Sequence, residues 1–202
     1  MEKEFYNKTK DLFPSMILRR FFINNETSKI ITAMDLGCGA CKDTKFLLEK
    51  GIDVIAVDIE DISEYIDLEN PKLKFVQSRF EDLDFDNVDL INAQNSLSFC
   101  NPKNFDEVIT KIKNAINEEG YFVGNFFGKN DGWNNRESMT FLSKQEVLEI
   151  FKEFKIKYID EFEEDGRTVL GKEKHWHVIS IIGQKNDWST IGRISNENRI
   201  WI

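Results

Sequence analysis

The chain has 202 residues, 41% hydrophobic and 31% charged, the make-up of an ordinary soluble globular domain rather than a disordered or fibrous chain. Its net charge of -9, with no run of basic residues, argues against nucleic-acid or anionic-membrane partners, because phosphate binding needs clustered Lys and Arg. No apolar run approaches the ~20 residues that cross a bilayer. The start, MEKEFYNKTKDLF, lacks the apolar core of a signal peptide, and three cysteines do not make a disulfide framework, so a reducing cytoplasm is the expected location.

In chain order, residues 1–28 read as an N-terminal helical extension. Phe13, Met16, Ile17, Arg20 and Phe21 recur at roughly helical spacing, Pro14 suits a first turn, and a turn follows at 24–29. Strands are expected at 30–35, 53–58, 73–77, 88–93 and 120–127. Helices are expected at 42–50, ahead of Gly51, more weakly at 61–68, and at 104–117. The last has Phe105, Val108, Ile109, Ile112 and Ile116 on one face and Gly120 beyond its end. Strands alternating with helices imply βαβ units and a parallel sheet. A short helix at 144–152 opens with a capping box, Ser143 and Glu146. Two strand-like runs, 154–162 and 174–184, split by Asp165-Gly166, then read as an antiparallel pair. The expected fold is a doubly wound α/β domain over residues 1–185. Its seven-stranded, Rossmann-like sheet is mostly parallel, with an antiparallel C-terminal hairpin. Residues 186–202 form a tail without a clear period.

The segment Met34-Asp35-Leu36-Gly37-Cys38-Gly39-Ala40 falls where a first strand ends and a helix begins. Glycines there let the backbone turn tightly and approach a ligand. Free N–H groups at the helix start favour the polar end of a nucleotide-like cofactor. Asp58 ends the second strand, where a carboxylate accepts from both hydroxyls of an adenosine ribose. The dinucleotide fingerprint G-x-G-x-x-G fails, because Lys42 holds the third glycine position. Asp35, close to the loop, would repel a pyrophosphate but suits a cofactor carrying an ammonium and a sulfonium.

MDLGCGA followed by a helix and then AVDIE resembles the first motif and its successor in class I S-adenosylmethionine-dependent methyltransferases. SRFEDLDF (78–85), NSLSFCNP (95–102), FFGKNDGW (126–133) and KHWHV (174–178) resemble the bacterial tellurite-resistance-like small-molecule group. The likeness spans roughly residues 30–185 at the level of element order. It implies S-adenosylmethionine as cofactor, S-adenosylhomocysteine as product, and in-line methyl transfer to a small-molecule acceptor. It also implies cofactor contacts: Asp35 near the amino group, Gly37 and Gly39 as the loop floor, Asp58 at the ribose and Ile59 beside the adenine. Arg79 and Phe80 would lie at the adenine edge, and Ala93 and Gln94 near the methionine portion. Two positions depart from the family. Cys41 stands where a glycine is usual, and Arg79 where many relatives carry an acid that accepts from the adenine amino group.

Methyl transfer from a sulfonium needs alignment above all, which supplies roughly 7–11 kcal/mol, and a base only where the acceptor must lose a proton. The candidates facing the acceptor are Phe99 and Trp133. His175 and His177, the only histidines, share a strand face and are the catalytic candidates; packing at the sheet edge is their other reading. Two histidines without a third ligand make no metal site. Cys38 and Cys41 read as small residues in a glycine loop. A methyltransferase for a macromolecule, a non-catalytic cofactor-binding module and, last, a nicotinamide oxidoreductase are the alternatives. After the fourth strand the chain reads Asn92-Ala93-Gln94-Asn95, not the D/N-P-P-Y/F of base methylation. The chain is expected to be a monomer or a homodimer.

Overall fold

The computed structural model describes residues 2–186; the expected tail, beyond Asn186, lies outside the described residues. The elements, numbered in chain order, begin with helices α1 (Glu2–Thr9) and α2 (Met16–Asn24), strand β1 (Thr32–Leu36), helix α3 (Lys42–Glu49) and strands β2 (Asp53–Asp58), β3 (Leu73–Gln77) and β4 (Val88–Ala93). They continue with helix α4 (Pro102–Ala115), strand β5 (Ile116–Phe127), helix α5 (Lys144–Ile150) and strands β6 (Phe154–Arg167) and β7 (Glu173–Lys185). The seven strands lie in the order β3-β2-β1-β4-β5-β7-β6, with β7 antiparallel to both its neighbours and the first five parallel. The expected doubly wound, mostly parallel sheet with a C-terminal hairpin is therefore present. The hairpin's second strand lies inside, between β5 and β6.

Alternation along the strands builds one core on each face. Met34, Leu36, Ile91, Phe122 and Phe126 point toward α4 and α5, which contribute Phe105, Ile109, Ile112 and Val147. Ala33, Val54, Leu90, Val123 and Ile182 point toward α2 and α3, meeting Ile17, Leu18, Phe21 and Leu47. The capping box of α5 is closed both ways between Ser143 and Glu146. Asn101 caps α4 by accepting from the Lys103 amide, and Pro102 takes the first helical position, so this helix starts two residues before the expected 104.

Four expectations change. The N-terminal helical extension consists of two helices, and Pro14 precedes the Ser15 cap instead of sitting in the first turn. Ser15 is held by Asp43, whose carboxylate accepts from its amide and hydroxyl, both at 2.6 Å. No helix forms at 61–68. There Asp61 and Asp67 accept from the amides of Ser63 and Glu69, a local pairing that competes with helix. Strand β5 begins at Ile116, directly after α4. The hairpin does not turn at Asp165-Gly166, which stay paired within it. It turns at Thr168–Lys172, where Gly171 takes a φ of +82° and the Thr168 amide donates to the Lys172 carbonyl.

Phe151 is fully buried and stacks on Phe122, with ring centroids 4.6 Å apart. Phe151→Ala should cost about 3–5 kcal/mol, read as a lower urea midpoint at unchanged slope.

Candidate functional site

Because β1, β2, β4 and β5 are parallel, their carboxyl ends share one edge of the sheet. The strand order reverses between β1 and β4, the place where ligands bind in open α/β sheets. The loop Gly37–Cys41, between β1 and α3, lies there. The amides of Gly37 and Cys38 both donate to the Val57 carbonyl, so the chain folds back over β2. Gly37 has a φ of +71°, and a Cβ there would collide with the Ser96 side chain in the loop after β4. Only glycine allows that approach. Gly39 and Cys41 are also left-handed, at +54° and +63°. The usual glycine at position 41 thus has a backbone reason, and Cys41 holds the strained conformation as the residue before α3.

Asp35 is buried on the α3 side of β1. Its carboxylate accepts from Thr44 Oγ1 at 2.6 Å and from Asn92 Nδ2 at 2.8 Å. Burial pushes its pKa up to about 7 and the Asp43 charge adds to the rise, while the two hydrogen bonds pull the other way. Asp58, at the tip of the adjacent strand, accepts from the Gly39 amide at 2.8 Å, the Glu60 amide at 3.1 Å and the Tyr6 hydroxyl at 2.8 Å. The two acids therefore stand on neighbouring strands on either side of the glycine loop. Among the described residues, the buried Ser96 hydroxyl, against Gly37, has no hydrogen-bond partner. A buried, unpartnered hydroxyl facing a glycine loop is what a polar ligand would satisfy.

Ile59 is 57% exposed beside Asp58. Phe80 reaches the glycine loop, and Arg79 points to solvent. Ala93 is buried at the end of β4. The Gln94 amide is engaged by Asn92, the Val123 carbonyl and Asn125, so its side chain braces the tips of β4 and β5. Asn95 then turns the chain with a φ of +52°.

Phe99 is half exposed. It packs with Phe127 and Trp133, and Trp133 packs in turn with Trp176. Inside this aromatic group lies an ion pair, Lys174 Nζ to Asp131 at 2.6 Å, with side chains only 1% and 0% exposed. The ammonium sits 3.5 Å from the Trp176 ring centroid and 4.3 Å from that of Trp133. Lys174 and Trp176 lie on the α2–α3 face of β7, as do Asp35 on β1 and Phe127 on β5. His175 and His177 point to the opposite face. There His175 meets Asp165 at 2.7 Å and Glu163 at 3.1 Å, and His177 meets Glu161 at 3.0 Å. Those carboxylates raise the His175 pKa, Asp165 most and Glu163 next. No group of residues able to hold a metal ion occurs among the described residues. The sequence reading missed Tyr6, Thr44, Ser96 and the buried Lys174–Asp131 pair. Tyr6, Ser96 and the Lys174–Asp131 pair meet partners 40 or more residues away, which no local pattern marks, and Thr44 meets Asp35 nine residues away only through the turn from β1 into α3.

Residues 33–120 match the family model described as Methyltransferase domain. Over those residues, fewer than half of the chain, and in its fold the chain is similar to methyltransferases. Similar solved structures include TehB from Haemophilus influenzae, at 17% identity over 92% of this chain and 67% of that one, with a TM-score of 0.73. A 1,6-didemethyltoxoflavin-N1-methyltransferase from Burkholderia thailandensis, solved with its substrate and S-adenosylhomocysteine, is similar at 18% identity over 92% and 87%, TM-score 0.63. An S-adenosylmethionine-dependent methyltransferase from Methanosarcina mazei follows at 20% identity over 87% and 99%, TM-score 0.62. At these identities the likeness is one of fold. No curated protein matches the sequence.

Lys174→Met leaves Asp131 as an unpaired buried carboxylate and should cost about 3–5 kcal/mol in guanidinium unfolding. The double variant Lys174→Met/Asp131→Asn should recover part of that loss.

Proposed function

We propose that this chain transfers a methyl group from S-adenosylmethionine to a small-molecule acceptor, with the cofactor held between Asp35 and Asp58. The observation that carries the reading is the placement of these two acids at neighbouring strand tips around the glycine loop, with the unpartnered Ser96 hydroxyl facing it. When bound, S-adenosylmethionine supplies an electrophilic methyl on a sulfonium. Asp58 would take the ribose, Ile59 and Phe80 would flank the adenine, and Asp35, braced by Thr44 and Asn92, would face the amino group. Gly37, Gly39 and Ala93 leave room at the loop and strand ends. Gln94 would act by fixing the β4 tip, and Arg79 would border the adenine edge from solvent.

The Phe99–Trp133 aromatic wall shares its sheet face with Asp35 and is the proposed side of the acceptor. Its modest apolar surface suits a small molecule, and the net charge of -9 gives no support to a nucleic-acid acceptor. Alignment by these walls is then the chain's main catalytic contribution. His175 and His177, paired with carboxylates on the other face, are better placed to brace the β6–β7 hairpin than to take a proton from that acceptor. Three buried free thiols suit a reducing cytoplasm. Among the described residues no helix is long and apolar enough to cross a membrane.

Calorimetry tests the reading. S-adenosylhomocysteine should bind and NAD should not, and Asp58→Ala should weaken binding by about 100-fold, the loss of two hydrogen bonds to a charged acceptor. NAD binding without S-adenosylhomocysteine binding would overturn the reading. A cationic amino group prefers the ionised form of Asp35, so lowering the pH through about 7 should weaken binding. Affinity should rise from pH 5.5 to 7.5 and binding near pH 6.5 should release a proton, an effect that Asp35→Asn abolishes.

A further inference from the structure

We propose that Tyr6 gates the cofactor cleft: helix α1 holds it shut by placing the Tyr6 hydroxyl on Asp58, where a ribose hydroxyl of the cofactor must go. This rests on the reading of Asp58 as the ribose acceptor. A carboxylate offers about four lone-pair positions. Among the described residues three are filled on Asp58: Oδ1 accepts from Tyr6 and from the Glu60 amide, and Oδ2 accepts from the Gly39 amide. Two ribose hydroxyls need two positions, and one is free. The Glu60 and Gly39 amides belong to the chain running directly out of β2 and β1 and stay with the sheet. Tyr6 alone comes from a separable element. Its ring also lies over Gly39, 3.7 Å from where a Cβ would stand, and packs edge-on against Tyr65 at 5.5 Å. It thus covers the loop as well as the acid. Burial and the Asp58 charge raise the Tyr6 pKa, so the hydroxyl stays protonated and keeps donating.

Helix α1 is built to let go. It has eight residues, too few for an isolated helix to be stable in water. Of residues 3–9, only Tyr6 and Thr9 are buried, and Thr9 spends its hydroxyl on carbonyls within the helix. Among the described residues, the other side-chain hydrogen bond given from α1 to the rest of the chain is the exposed Lys3–Glu64 pair, a kind of contact worth little. The helix is tethered at Ser15, fixed by Asp43 and Lys42, which leaves residues 10–14 as a hinge. A cavity of about 200 Å³, lined by Lys3, Tyr6, Glu60 and Tyr65, already opens beside the contact.

The apparent affinity of a ligand is lowered by the fraction of protein that is closed to it. Tyr6→Phe keeps the ring and removes only the donor. Calorimetry and stopped-flow binding of S-adenosylhomocysteine should therefore show about tenfold tighter binding in Tyr6→Phe than in the unaltered chain, through faster association. Equal or weaker binding overturns the gate and leaves the cofactor reading standing. Absence of binding in both proteins overturns both. Trypsin gives a second readout on the unaltered chain. Cleavage after Lys8 and Lys10, both exposed, should speed up as S-adenosylhomocysteine is added, and slower cleavage would mean that the helix closes over the cofactor instead.

Discussion

A carboxylate buried at a strand tip needs donors, and Asp58 draws them from three parts of the chain: the glycine loop, its own strand end and the N-terminal helix. That requirement ties the β1 loop to the β2 tip and fixes the left-handed course from Gly37 to Cys41. It also pulls a short helix over a cleft that would otherwise open to solvent. Asp35, one strand away, solves the same problem differently. It takes two neutral donors and holds its proton up to about pH 7, an acid poised to ionise when a cation arrives. Two acids with different partners on adjacent tips are the electrostatic frame on which a cationic adenosyl ligand can sit.

The second frame is the aromatic group at the top of β5 and β7. Its centre is an ammonium, Lys174, kept from water by Trp133, Trp176 and Phe127 and neutralised by Asp131. Asp131 also accepts from the amides of Trp133 and His177. One carboxylate therefore pins the 128–136 loop to β7 and sets the angle at which Trp133 meets Phe99. The histidines on the far side of the strand serve the same edge through Glu161, Glu163 and Asp165.

Much of the fold was legible in the sequence because it rests on local rules. The apolar stripe of 104–117, the capping box at Ser143 and the acid ending 53–58 each announce an element within a short stretch of chain. The acids and glycines of the candidate site stand in local patterns of the same kind. Residues 61–68 misled because Asp and Ser carry enough apolar neighbours to imitate a helix while their side chains favour turns. Asp165-Gly166 misled because a turn-like dipeptide was overridden by cross-strand pairing that runs on to Arg167 and Glu173. Tyr6 on Asp58 and Lys174 on Asp131 could not be read at all, since each joins residues more than 40 positions apart with no periodic signal.

The most direct measurement is a crystal structure with S-adenosylhomocysteine bound. The account predicts both ribose hydroxyls on the Asp58 carboxylate, the amino group toward Asp35, the adenine beside Ile59 and Phe80, and the sulfur directed at the Phe99–Trp133 wall. A ligand seated elsewhere, or one whose ribose leaves Asp58 untouched, would contradict it.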